Sequence, residues 1–270
     1  MWVCSRLILI RTMKRIIFKL LFFVFLIHSG CAVPTVKEPL SLMPTAKSES
    51  APDSLGKAFS IVQACLAAYD QIEDYTAVYH KEERLKSAKL RPKEIIFVKF
   101  RKPNQIYMKW IEEPNKGMEL IYPVRENKLV VEPGGLLDVI TPKMYLNPTD
   151  KLSMLENRHP ITEADLGYLI GRYAEDFTTA KEKAEIRVRL NEGVDFKGVL
   201  ADRVELFLPQ NGYYCSRSVV YFDQKSRLPL HVEFYDIENQ LFERYSYTQL
   251  QLNVGLQDID FDEENPKYDF

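Results

Sequence analysis

Residues that usually carry chemistry are scarce in this chain. Of 270 residues, four are His and four are Cys. His28, Cys4 and Cys31 lie in the first 31 residues, which leaves His80, His159, His231, Cys65 and Cys215. No His-Glu-x-x-His, Cys-x-x-Cys or Gly-x-Ser-x-Gly pattern occurs, so the metal-hydrolase, dithiol and serine-hydrolase arrangements with those signatures are excluded. Glycine is sparse, at 11 residues, and no Gly-rich phosphate loop is present. An excess of positive charge is also missing: 36 basic residues stand against 38 acidic. A non-enzymatic protein without cofactor or metal is expected, and not a nucleic-acid partner.

Long apolar runs are missing too. The longest, Ile16–Ile27, is broken by Lys19 and falls short of the ~20 residues that span a bilayer. It follows the basic residues Arg6, Arg11, Lys14 and Arg15 and precedes Ser29, Gly30, Cys31 and Ala32, small residues at a cleavage position. Residues 1–31 therefore read as an export signal, with an effective start at Met13. Leu26-Ile27-His28-Ser29-Gly30-Cys31 resembles a lipobox with Cys31 as the lipidated residue, although His28 stands where Leu is usual. Cleavage after Ala32 is the alternative. Residues 32–53, rich in Pro, Ser, Lys and Glu, read as a flexible tether. A tether suits a chain held to a membrane through its N-terminus, and a multiply acylated Cys31 would hold it there. The signal removes five basic residues and no acidic one, which leaves the exported chain near −7.

What is abundant is β-forming apolar material: 15 Tyr, 15 Phe and a hydrophobic fraction of 46%. Residues 54–268 read as one domain. A helix opens at Pro52-Asp53-Ser54, with Leu55, Phe59, Val62, Leu66 and Tyr69 at helical spacing. The period then becomes two, over 75–84, 93–102, 105–111, 117–122 and 128–132. Ile96, Val98 and Phe100 share one face, as do Ile106, Met108 and Trp110. Residues 148–157 read as a short helix. Thr162 reads as the cap of a longer one striped by Leu166, Leu169, Ile170 and Tyr173. Strands resume over 185–191, 200–208, 216–223, 229–236 and 241–252, with Leu230, Val232 and Phe234 alternating against His231, Glu233 and Tyr235. About ten antiparallel strands in one sheet must curl. The expected fold is mainly β (α+β): a curled antiparallel sheet, an incomplete barrel, with helices in its concave face. Cys65 and Cys215 are open between a disulfide and two buried thiols.

Arg101-Lys102-Pro103, then Ile106, Met108 and Trp110, followed by Gly117 and Ile121-Tyr122-Pro123, resemble the start of the periplasmic carriers and outer-membrane receptors of lipoprotein sorting (LolA/LolB-like). Asp74-Tyr75-Thr76, Arg158-His159-Pro160-Ile161-Thr162, Leu228-Pro229-Leu230 with Glu233 and Tyr235-Asp236, and the terminal Asn253-Val254-Gly255-Leu256, Asp260-Phe261-Asp262, Asn265-Pro266 and Tyr268 resemble a bacterial domain of unknown function, number 1571, of that superfamily. The resemblance covers about residues 58–268. It implies an apolar cavity under a helical lid, taking a lipid or an acylated polypeptide, with an envelope protein as a further partner. The cavity lining is expected from Ile96, Val98, Phe100, Ile106, Met108, Trp110, Leu206, Val232 and Phe234, which equally fit a filled core. The lid-governing Arg of the carriers falls at Lys102, with Arg101 beside it, and Lys does not replace Arg where planar bonding matters. His231 reads as a solvated or hydrogen-bonded outward residue, Arg158-His159-Pro160 as a turn entering a helix, and the acidic end, Asp258 to Glu264, as solvated.

Overall fold

The computed structural model describes residues 52–85, 89–134 and 142–270. The export signal with Met13 and Cys31, and the tether up to residue 51, lie outside the described residues.

Helix α1 (Pro52–Asp70) is amphipathic. Ala58, Val62 and Cys65, spaced by four and three residues, are its deepest positions. Leu55, Phe59, Leu66 and Tyr69 flank that line. Two of the three central residues are small, so the helix backbone lies close to the layer beneath it.

Strands β1 (Asp74–Glu83), β2 (Glu94–Arg101), β3 (Gln105–Trp110), β4 (Glu119–Tyr122), β5 (Leu129–Glu132) and β6 (Met144–Leu146) form one half of a sheet. Strands β7 (Arg187–Phe196), β8 (Val199–Phe207), β9 (Arg217–Asp223), β10 (Pro229–Tyr235) and β11 (Leu241–Leu252) form the other. The spatial order is β6-β5-β4-β3-β2-β1-β11-β10-β9-β8-β7, antiparallel throughout. Each half is a meander, and β1 and β11 join them. The sheet is not closed, since β6 and β7 are its edges. Eleven strands at ~4.8 Å would extend ~50 Å if flat, yet Leu129 of β5 and Val188 of β7 belong to one apolar cluster with both helices. This is the expected incomplete barrel.

Period-two alternation fixes the concave face. Ile96, Val98 and Phe100 stand opposite Trp110, Met108 and Ile106 in register. All six are buried in that cluster, beside Leu206, Val220, Phe222, Val232 and Phe234. Burial of each such side chain stabilises by ~1.5–3 kcal/mol.

Helix α2 (Leu166–Glu182) buries Leu166, Leu169, Ile170, Tyr173, Ala174, Phe177 and Ala180. Its cap is Asp165, which accepts from the backbone N–H of Gly167 and Tyr168. Thr162 lies in a 3-10 turn instead, Ile161–Glu163. The carboxylate caps better from one residue before the helix, where two free amides converge. The helices meet through Phe59 and Phe177, with ring centroids 5.6 Å apart, and through the Tyr69 hydroxyl, 3.0 Å from Asp165 Oδ1. Gly167 leaves room for this contact: a Cβ there would stand 2.4 Å from the hydroxyl end of Tyr69 and force that side chain to move.

Three other expectations change. Residues 148–157 form turns, not a helix, tied by Asp150, which accepts from the Asn147 amide at 2.9 Å. Strand β7 runs on to Phe196 and turns tightly through Lys197 and Gly198, both left-handed (φ 55° and 85°), a hairpin geometry that suits Gly. Strand β10 carries a bulge between Pro229 and His231. The extra residue is Leu230, which loses the face it was expected to share with Val232, and Pro229 takes that face opposite Phe222.

Candidate functional site

The seam between the helix pair and the concave face is apolar. Val62 and Cys65 of α1, Leu169, Ile170 and Tyr173 of α2, and Val220, Phe222, Pro229 and Val232 of the sheet surround a space of about 10 Å³, room for one water molecule. The nine residues expected to line a cavity are all buried in the surrounding cluster, and of them only Val232 borders this space. The other eight are packed against one another and against the helices.

Polar bonds fasten the seam at its margins. Lys102, in the turn after β2, donates from Nζ to the carbonyls of Tyr69 at 2.9 Å and Asp70 at 3.2 Å. These are terminal carbonyls of α1, which have no partner within the helix and carry its negative dipole end. The same ammonium stands 4.5 Å from the Tyr69 ring centroid. A point charge suffices for two diverging carbonyls, so Lys serves at this position. Arg101 points to the other face of the sheet. There it donates to Gln105 Oε1 at 2.7 Å, Leu256 O at 3.1 Å and Asp258 Oδ1 at 2.5 Å, and it covers the Phe261 ring. Adjacent in sequence, the two cations serve opposite faces.

A second fastening, not singled out as a site in the sequence, lies ahead of α2. Glu83 of β1 and Glu243 of β11 are directly paired in register, and both side chains are almost wholly buried, at 4% and 1% exposure. Like charges placed opposite each other destabilise a sheet. Cations from the 157–165 segment compensate. Arg158 donates its Nε to Glu243 at 2.5 Å, its backbone N–H to Glu83 at 2.9 Å and its guanidinium to the Arg84 carbonyl at 2.8 Å. His159 places Nε2 3.0 Å from Glu243 Oε1 and Nδ1 3.0 Å from Glu163 Oε2. The hydroxyl of Tyr214 donates to Glu243, and that of Tyr245 to Glu83. Lys81 bridges Glu83 and Glu94 and donates to Asn157. The Arg158-His159 turn does lead into the helix, and it is also the chief ionic contact between that segment and the sheet.

The two cysteines and His231 are held in structural environments. Cys65 and Cys215 are unbonded and buried. Burial pushes each thiol up to about 12, far from the thiolate that nucleophilic attack requires. His231 is outward-facing but covered: Phe196 lies over it, Nδ1 is 2.6 Å from Ser246 Oγ, and Nε2 is 3.3 Å from Glu233. Among the described residues no group of three or more His, Cys, Asp or Glu is placed to hold a metal ion, and no helix is long and apolar enough to cross a membrane.

The acidic end is solvated in part: Asp258, Asp262 and Glu264 are exposed as expected, whereas Asp260 and Glu263 are half-buried and paired. Residues 253–270 strap the convex face. Asp74, buried at the start of β1, accepts from the backbone N–H of Val254, Gly255 and Leu256. Lys99 meets Asp260 at 2.6 Å, Lys109 meets Asp269 at 3.1 Å and Lys143 meets Glu263 at 2.9 Å. Tyr268 stacks on Tyr107 at 4.0 Å. Asp260 and Asp269 pair with lysines on strands some 160 residues earlier, and Glu263 with Lys143, 120 residues earlier and just ahead of β6.

Among solved structures, the Mycobacterium tuberculosis lipoprotein LppX is similar at a TM-score of 0.45 and 10% identity, over 78% of this chain and 100% of that one. A putative outer membrane lipoprotein-sorting protein domain from Vibrio parahaemolyticus gives 0.37 and 13%, over 77% and 97%. The Pseudomonas aeruginosa MucA/MucB complex gives 0.39 and 12%, over 76% and 60%. No curated protein matches. Residues 72–270, most of the described chain, match the family described as Protein of unknown function (DUF1571). The chain belongs to the DUF1571 family.

Proposed function

We propose that this chain is a non-enzymatic, exported envelope protein that binds a lipid or an acylated polypeptide between its helix pair and the concave face of its sheet. The observation that carries this reading is the seam. It is lined by apolar side chains from both layers, and its charged fastenings sit at the margins, at Lys102 and at Arg158 and His159, with a neutral bond, Leu166 N–H to Tyr75 Oη, within. An interface of that kind can part at small polar cost and offer continuous apolar surface to an acyl chain. The space of about 10 Å³ is then the closed state, and the helices move outward to admit a chain. Residues 54–268 act as one unit, exported by the signal over 1–31. If Cys31 is acylated the protein works tethered at one membrane, and if cleavage follows Ala32 it works as a soluble shuttle.

Solvent extraction of the mature chain from its host, with mass analysis, tests the reading. Co-purifying lipid near one molecule per chain is expected, as is shielding of an added fluorescent fatty acid. A chain that carries no lipid and shields no acyl probe overturns it. The packed core favours a second reading, an interaction module of the envelope with a permanently filled interior. That reading predicts a protein partner recovered by cross-linking and no uptake of acyl probe.

A further inference from the structure

We propose that His159 is a proton-operated latch on the helix layer: as imidazolium it fastens the 157–165 segment to the sheet, and as neutral imidazole it releases its share of that fastening.

The geometry carries this. Both ring nitrogens face carboxylate oxygens, Nδ1 toward Glu163 on its own segment and Nε2 toward Glu243 on β11, each at 3.0 Å. A carboxylate only accepts hydrogen bonds, and a neutral imidazole has one N–H. Only the doubly protonated ring donates to both. Tyr214 Oη lies 2.8 Å from Nε2, but its proton is given to Glu243, so turning it to a bare ring nitrogen takes that bond from Glu243. A neutral ring therefore loses its own bond to Glu243 and either takes the Tyr214 proton from the same carboxylate or leaves a lone pair against it in a largely covered site.

The surroundings agree from every side. Glu163 and Arg158 flank the ring on its own segment. Tyr168, from α2, lies 6.2 Å away ring to ring, and Arg172 of α2 stacks 5.0 Å over Tyr214. Tyr214 comes from the loop between β8 and β9, Glu243 from β11, and Glu83 from β1 adds negative potential. Burial opposes the charged ring, but the hydrogen bond and charge of Glu243, then of Glu163, outweigh it and hold the pKa above its ordinary value. The sign follows. The latch is complete below the ordinary His range near ~6.5 and is lost as pH rises through the higher folded value. Arg158 stays charged throughout, and Lys81 still holds Asn157, so the segment loosens and does not detach.

The helix layer is thus fastened by two unlike devices. Lys102, from the turn after β2, clasps two terminal carbonyls of α1. His159 ahead of α2 answers to protons near neutral pH. For ligand traffic the proposal rests on the reading that the layer opens, but the latch is tested without ligand.

The test uses the full mature chain labelled with ¹⁵N. Imidazole signals are titrated, and exchange of the Leu169–Tyr173 amides is followed from about pH 5.5 to about pH 8.5, corrected for intrinsic rates. The His159 ring should titrate above ~6.5, and the opening constant of those amides should rise about tenfold across the range. His159→Gln should show the high-pH opening at every pH. Glu163→Gln, at a partly exposed position that tolerates change, should lower the His159 midpoint and shrink the response. A ring that titrates at or below the ordinary value overturns the latch, as does a wild-type pH response in the Gln variants. A confirmed latch in a chain that never takes up an acyl probe would refute the lipid reading and leave the latch standing.

Discussion

The two faces of the sheet are both covered, by opposite means. The concave face is covered by helices mainly through apolar contact, with Phe177 and Leu166 fully buried and few polar bonds inside, among them Leu166 N–H to the Tyr75 hydroxyl at 3.1 Å. The convex face of β2 to β5 is covered by the C-terminal strap through ion pairs at Lys99, Arg101 and Lys109, around a small apolar cluster of Tyr107, Ile121, Val130 and Phe261. Apolar contact is non-directional, so a cover held that way can slide or lift and re-form. The strap is held by directional bonds in fixed register, three of them backbone amides converging on Asp74. One sheet therefore carries one cover suited to movement and one suited to permanence.

The contrast can be attacked from both sides. The largest effect is expected inside. Phe177→Ala removes a fully buried ring between Phe59 and Tyr173 and should cost ~4 kcal/mol in urea denaturation. If the seam is a binding site, an acyl probe should recover part of that loss; an unrecovered loss would make the inner face a plain core. On the outer face, Asp74→Ala strands three backbone donors and should cost ~3 kcal/mol. Proteolysis should then release the segment after Leu252 while the helix layer stays protected.

The next effect separates the faces by pH. Glu233, on the outer side of β10, is held down at about 2: burial opposes its charge, but hydrogen bonds from His231, Tyr235 and Arg244 prevail. A depressed carboxylate stabilises above its unfolded pKa and loses that contribution as pH falls toward the folded value. Stability should fall by ~2 kcal/mol between pH ~4.5 and ~2 from this group, and Glu233→Gln should flatten that part of the acid profile. The smallest effect concerns the α1 clasp. Lys102→Met should cost only ~1 kcal/mol but speed alkylation of Cys65, on the buried side of α1, about fivefold. An unchanged rate would mean that Lys102 does not govern opening.

How far the sequence revealed this depends on where each partner lies. β2 and β3 are legible because strict alternation of Ile96, Val98, Phe100 and Ile106, Met108, Trp110 needs no partner to be recognised. β6 is three residues long and carries no such pattern. Leu230 was misplaced because a bulge shifts the period without marking the sequence. The pairing of Asp260 and Glu263 within the acidic end is illegible in sequence because their basic partners, Lys99 and Lys143, precede them by 161 and 120 residues. The Arg158–His159 fastening was missed for the same reason: Glu83 and Glu243 are ordinary acids in their strands until register sets them opposite each other. Lys102 was found through family resemblance, and its chemistry, two helix-end carbonyls, became visible only once α1 was in place.

The pairing of β1 with β11 has a consequence for how the chain is made. The first and last strands meet at the centre of the sheet, not at an edge. Each half can form from neighbouring strands, but the seam between them closes across more than 150 residues of chain and awaits the final segment. Until that segment is available, β1 presents an unpaired edge, a template for wrong partners. A chain cut short before residue 241 would keep most of its residues and lose the join, leaving two half-sheets with sticky inner edges. The last tenth of the polypeptide is therefore the part whose arrival turns two meanders into one sheet.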